Sequence, residues 1–138
     1  MAGFSDYTAQ ATIKYWMNGT AMPAVTHRYL AVFTADPKDD NSGSSSEVSG
    51  AWYARQLADT WTTPVSNPDG TSGTVVKNDV QITFPAVSGS SVTVTHWGLY
   101  DALSGGNLLY SGALTTPKTL NAYDVLTLAT QQLVMTWL

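Results

Sequence analysis

A chain of 138 residues amounts to one domain, 1–138, and a domain that size buries roughly two-thirds of its unfolded surface, enough for a core without covalent staples. It is 43% apolar but only 12% charged, against a usual share of about 25%. A net charge of −4, scattered basic residues, no cysteine and no long apolar run argue against nucleic-acid binding, disulfides, a thiolate zinc site and a membrane-spanning helix.

The missing charge is made up by Thr, Ser, Asn and Gly. That suits a weakly charged contact surface inside an assembly, and equally a β-protein with no partner. Taken in order, residues 5–18 read as the one helix. Ser5 can cap it, Asp6 suits the positive end of the helix dipole, and Ala9, Ile13, Trp16 and Met17 form one apolar face. Asn18-Gly19 supplies the stop. The sequon Asn18-Gly19-Thr20 falls there too, and with no secretory pattern ahead of it we read it as a helix end. The apolar face is expected to cover the domain's own sheets, with a neighbouring subunit as the alternative.

His27 to Ala35 reads as a strand apolar on both faces, with Tyr29, Ala31 and Phe33 on one and Leu30 and Val32 on the other. A polar loop of about fifteen residues follows, Asp36 to Gly50, near the upper limit for an unstructured connection. Ala51 to Trp61 is a third, less regular strand, and Thr62 to Gly73 a second polar loop. Short strands are expected at Thr74–Lys77 and Val80–Phe84, the latter stopped by Pro85.

The scaffold's centre is expected in the hairpin from Val92 to Lys118. Val92, Val94, His96 and Tyr100 alternate with Thr93, Thr95, Trp97 and Leu99, and Ser104-Gly105-Gly106 supplies the turn. Pro117 is placed just past its second strand. In the final strand region, Val125 to Leu138, Leu126, Leu128, Val134 and Thr136 share one face, and Gln131-Gln132 marks a bend. Strands at roughly even spacing predict an all-β, two-sheet antiparallel sandwich of jelly-roll type with one N-terminal helix.

Residues able to carry chemistry are sparse. His27 and His96 each sit in an apolar strand and read as structural, and no serine lies in a Gly-x-Ser-x-Gly elbow. The aspartates fall mostly in turns, as Asp ordinarily does. The loop Asp36, Asp39, Asp40, Asn41 could offer oxygen ligands to calcium, but its spacing is not that of an EF-hand, and a solvated loop is the default. No catalytic residue, metal or cofactor is expected. Of five tryptophans, Trp16 and Trp97 read as core by periodicity, while Trp52 and Trp61 flank a loop-bounded strand and are expected to be exposed. Exposed tryptophans can stack on sugars or anchor protein interfaces.

Several phrases together resemble a family of short tailed-bacteriophage virion proteins, generally labelled tail fibre proteins. They are Gly3-Phe-Ser-Asp-Tyr7, Tyr29-Leu-Ala-Val-Phe-Thr-Ala-Asp-Pro37, Glu47-Val-Ser-Gly50, Tyr53-Ala-Arg-Gln56, Ile82-Thr-Phe-Pro85, Thr95-His-Trp-Gly-Leu-Tyr-Asp101 and Gly105-Gly-Asn-Leu-Leu-Tyr-Ser-Gly-Ala-Leu-Thr-Thr-Pro-Lys118. The resemblance implies a non-enzymatic structural protein of the virion, made in the host cytoplasm, without nucleic-acid or membrane partners. Because the chain has no heptads, shaft repeat or second domain, its size and type are closer to capsid cement (decoration) proteins. The leading expectation is therefore a homo-oligomeric cement protein on the outer head surface, bridging major capsid protein subunits. The alternative is a tail fibre or tail-tip adhesin that binds a host glycan. Expected partner contacts are Phe4, Tyr7, Asp39, Asp40, Glu47, Trp52 and Trp61.

Overall fold

A computed structural model describes residues 3–137. Its larger sheet has five antiparallel strands: β1 (Gly3–Phe4), β2 (Tyr29–Phe33), β3 (Gln56–Leu57), β7 (Val92–Tyr100) and β8 (Leu108–Leu120), in the order β1-β8-β7-β2-β3. Two smaller antiparallel sheets supply the opposing strands. One comprises β4 (Val65–Ser66), β5 (Thr74–Lys77) and β10 (Val134–Trp137); the other pairs β6 (Ile82–Thr83) with β9 (Thr127–Leu128). Leu30, Val32, Val94, Trp97, Leu99 and Tyr110 of the large sheet share one core with Ile82, Phe84, Leu126, Leu128 and Leu133. The result is an all-β sandwich with one N-terminal helix, in which facing apolar side chains hold the layers together.

The β7–β8 hairpin is central, as its sequence predicts, and Gly105 and Gly106 make the turn at positive φ. The strict alternation expected along β7 does not survive. Val94 pairs with Lys118 but His96 with Ala113, so four residues of β8 face Thr95 alone. A bulge of this kind switches the parity of the strand. Val94, Trp97 and Leu99 all enter the main core, whereas His96 pairs with Phe33 and Tyr100 packs with Ala31, Phe33 and Leu108 on the other face. Pro117 lies inside β8 rather than past it, within the stretch that the register skips, where no ladder donor is needed. One residue pair beyond, Gly112 lies against Trp97, where an added Cβ would sit 3.0 Å from the indole.

Three other expectations are corrected. The strand expected over 51–61 shrinks to β3, because Gly50–Tyr53 forms a turn that drops Trp52 into the core. The loop 36–50 is not simply solvated: Val48 is buried, its N–H donates to Val32 O, and Glu47 bridges to Phe33. In the final region Gln131 turns with φ 64, as the bend anticipated, and that turn shifts the pattern. Leu133 and Met135 then join Leu126 and Leu128 at the core, while Val134 is exposed. Leu138, the last residue expected in that strand, lies outside the described residues.

Candidate functional site

Helix α1 (Asp6–Asn18) has the ends its sequence encodes. Ser5 Oγ accepts from Thr8 N–H at 3.2 Å, and Gly19 closes the helix at φ 68 with a bond to Lys14 O. Its base is pinned to the sandwich. Ser5 Oγ donates to Leu108 O, Thr8 Oγ1 donates to Leu109 O at 2.9 Å, and Asp6 N–H donates to Asp39 O at 2.9 Å. The apolar face does not cover the domain. Ile13 is 60% exposed and Trp16 and Met17 are each 77% exposed, so the reading of Trp16 as core is overturned. No helical residue is fully buried. The amphipathic pattern is real, but the strongest part of it lies beyond the pinned first turns and points to solvent.

Beside the helix base a cleft of about 430 Å³ opens between the layers, lined by Phe4, Trp61, Val76, Leu99 and Met135 with Thr8, Arg28 and Asp59 among its polar groups. Those polar groups are engaged. Arg28 Nη1 lies 3.3 Å from Asp59 Oδ1, and His27 Nδ1 lies 2.6 Å from Asp59 Oδ2. The hydrogen bond from His27, together with that from the Arg28 backbone, holds the Asp59 carboxyl below its usual range despite partial burial. A His–Asp pair is two parts of a nucleophile triad, but no described Ser or Thr hydroxyl is hydrogen-bonded to His27.

The most tightly connected polar cluster lies elsewhere, around Arg55. Its guanidinium donates through Nε to Glu47 Oε1 and through Nη2 to Glu47 Oε2, both at 2.8 Å. Nη1 donates to Ala102 O and Gly105 O, and the group stacks 3.7 Å over the Tyr100 ring. Tyr53 Oη donates to Glu47 at 2.8 Å, and Tyr100 Oη donates to Asn41 Oδ1 at 2.7 Å. Burial pushes the Tyr100 hydroxyl up to about 12, and burial plus the Glu47 carboxylate pushes Tyr53 further in the same direction. Burial alone would lower Arg55, but its bonds and attraction to Glu47 outweigh that and raise it. Both phenols keep their protons and Arg55 its charge near neutral pH. The cluster is a brace joining three distant segments, with no group poised to move a proton.

The expected contact residues divide accordingly. Phe4 and Trp61 line the same cleft, Phe4 packing 5.1 Å from Tyr110; Trp61, expected to be exposed, is half-buried against the core and donates its indole N–H to Ala58 O. Tyr7, Asp39 and Asp40 meet at the helix base. Glu47 is locked to Arg55. Trp52, expected to be exposed, is only 9% exposed and packs edge-on against Tyr53. Along the loop, Asp36 Oδ1 accepts from Lys38 N–H and Asp40 Oδ1 from Ser42 N–H, each a local turn bond. No cluster of three metal-ligating side chains forms among the described residues. Ile13, Trp16 and Met17 are not named singly among the expected contact residues, although the helix face they form carried a neighbouring subunit as its alternative partner.

Fold and surface together define a β-sandwich that displays one cluster of exposed apolar groups on an anchored helix, with others scattered over its strands and loops, an architecture suited to contact with other proteins. The family model of the podophage GP4 fiber I protein gp80 matches residues 3–136, and the chain belongs to that family, a phage fibre-type structural protein family. No curated protein matches the chain.

Proposed function

We propose that this chain is a non-enzymatic structural component of a bacteriophage fibre, acting as one domain over 1–138 and joined to neighbouring virion proteins through α1. The observation that carries this reading is the apolar stripe of Ile13, Trp16 and Met17, left in water on a helix whose base is fixed. Contiguous apolar surface of this kind marks protein contacts. The family's description favours the fibre over the head. A cement protein bridging major capsid protein subunits is the second reading, supported by a chain with no shaft repeat. A glycan-binding tip retains only Trp61 of its two expected tryptophans, since Trp52 belongs to the core.

Electron microscopy of particles decorated with gold-labelled antibody against this chain tests the location. Label at the tail is the expected outcome, label over the head shell would favour cement, and absence from purified particles would exclude both. Glycan-array binding lost in Trp61→Ala would instead favour the adhesin.

A further inference from the structure

A second cleft, of about 450 Å³, opens between the end of the loop 36–50 and the turn that precedes β7. Residues 45–50 supply one wall and residues 88–91 the other, and Val48, Trp52 and Val92 supply its apolar lining. Both walls are fixed by the fold. Thr34 Oγ1 donates to Ser46 O, Ser46 Oγ lies 2.7 Å from Gly43 O, and Val48 N–H donates to Val32 O. The opposite wall is held between Val87, whose N–H donates to Asp124 O, and Val92, which pairs with Leu120.

Two features of this cleft are not used by the fold. The side-chain hydroxyls of Ser45, Ser49, Ser88, Ser90 and Ser91 make no hydrogen bond among the described residues, and all five residues are exposed. By themselves such serines are a solvated rim. The second feature is Trp52, only 9% exposed, whose indole N–H also has no partner among the described residues. A buried indole N–H ordinarily finds an acceptor. This one is not sealed off: it lies against Gly50 on the cleft wall, where an added Cβ would sit 2.9 Å from Nε1. Gly50 holds φ 144, so glycine both allows the turn and leaves the donor uncovered.

We propose that this cleft binds a neutral saccharide, with the Trp52 indole donating to a sugar oxygen and the serine hydroxyls meeting the sugar's own. Charge decides the class. No Lys or Arg lines the cleft, so an anion gains nothing there. Its one carboxylate, Glu47, is already held by Arg55 and Tyr53, so a cation gains little. What remains is a set of neutral donors and acceptors beside small apolar patches, which matches closely spaced hydroxyls on a carbon skeleton. Trp52 offers an edge and not a ring face, so the site is distinct from stacking on Trp61, and it stands independently of α1.

Nitrogen–proton correlation NMR on the full chain tests this, because each indole N–H gives its own signal. Trp52→Phe identifies the Trp52 signal, or a through-space contact to Gly50 does so should that variant not fold. Glucose, galactose, rhamnose and N-acetylglucosamine, and neutral oligosaccharides built from them, are titrated into the millimolar range. At least one is expected to move the Trp52 signal saturably and leave the Trp16 signal in place. The triple change Ser49→Ala, Ser90→Ala and Ser91→Ala, all at exposed positions, should weaken that binding at least about 5-fold. An oligosaccharide that binds more tightly than its monosaccharide identifies a surface glycan, and equal binding a free sugar; either supports the site. No saturable shift at Trp52 with any of these sugars, or a shift at Trp61 in its place, would overturn the proposal. So would an equal response to glucuronic acid, or to the neutral peptide Gly-Ser-Gly, or undiminished binding by the triple variant.

Discussion

Arg55 is where the loop after β2, the turn before β3 and the β7–β8 hairpin loop meet, and its side chain is only 8% exposed. Removing it strands the Glu47 carboxylate and two carbonyls. Arg55→Ala should therefore cost about 3–5 kcal/mol, the usual penalty for breaking a buried pair, read as a fall in the urea midpoint at unchanged slope. A second expectation concerns pH. Tyr100, raised from 10.0 to about 12, holds its proton in the folded chain where the unfolded chain has released it. Between about pH 10 and 12 the unfolded state binds fewer protons, so stability falls as pH rises. Denaturant midpoints across that window should drop, and drop less steeply in Tyr100→Phe, with Tyr53 accounting for part of what remains. Little of this was legible beforehand. Glu47 and Arg55 are eight residues apart, yet the turn at Gly50–Tyr53 that faces them together depends on Trp52 finding the core. Asn78 left no signal either. It is buried, donates to Val80 O and Ala129 O and accepts from Leu133 N–H, fastening the end of β5 to the turn before β10.

Elements were legible where their causes are local. The ends of α1 follow from Ser5 and Gly19, whose capping chemistry acts within one turn of chain. The direction its apolar stripe points was not, since amphipathicity encodes a face that wants cover without naming what covers it. The bulge at Thr95 was hidden for a related reason: a period-two pattern assumes an unbroken ladder, and the mismatch of four residues on β8 against one on β7 belongs to pairing across the hairpin. The contrast between two tryptophans turns this into a measurement. Trp97 fills the space between the layers, 5.5 Å from the Tyr110 ring, so Trp97→Ala should cost about 3–5 kcal/mol. Trp16→Ser should change stability by no more than about 0.5 kcal/mol under conditions where the chain is monomeric. A Trp16→Ser variant as unstable as Trp97→Ala would mean that the helix tip is packed against its own domain.

At the scale of the whole molecule, stability is unevenly spread. The five-stranded sheet owns the long ladders, β7 against β8 and β2 against β7, and most of the buried aromatic surface: Trp97, Tyr100, Tyr110 and Phe33. The opposing layer is assembled from two small sheets; β4 and β6 contribute two residues each, and β4 is exposed throughout. Backbone bonds that border solvent and close little apolar surface open before the molecule unfolds as a unit. Amide exchange followed by mass spectrometry should therefore find peptides within 92–100 and 108–114 the slowest, exchanging only through global opening. Peptides covering 62–73 and the helix tip at 13–19 should exchange well before them. The order of opening within the sandwich is set by one chain's core, so it should hold at every concentration.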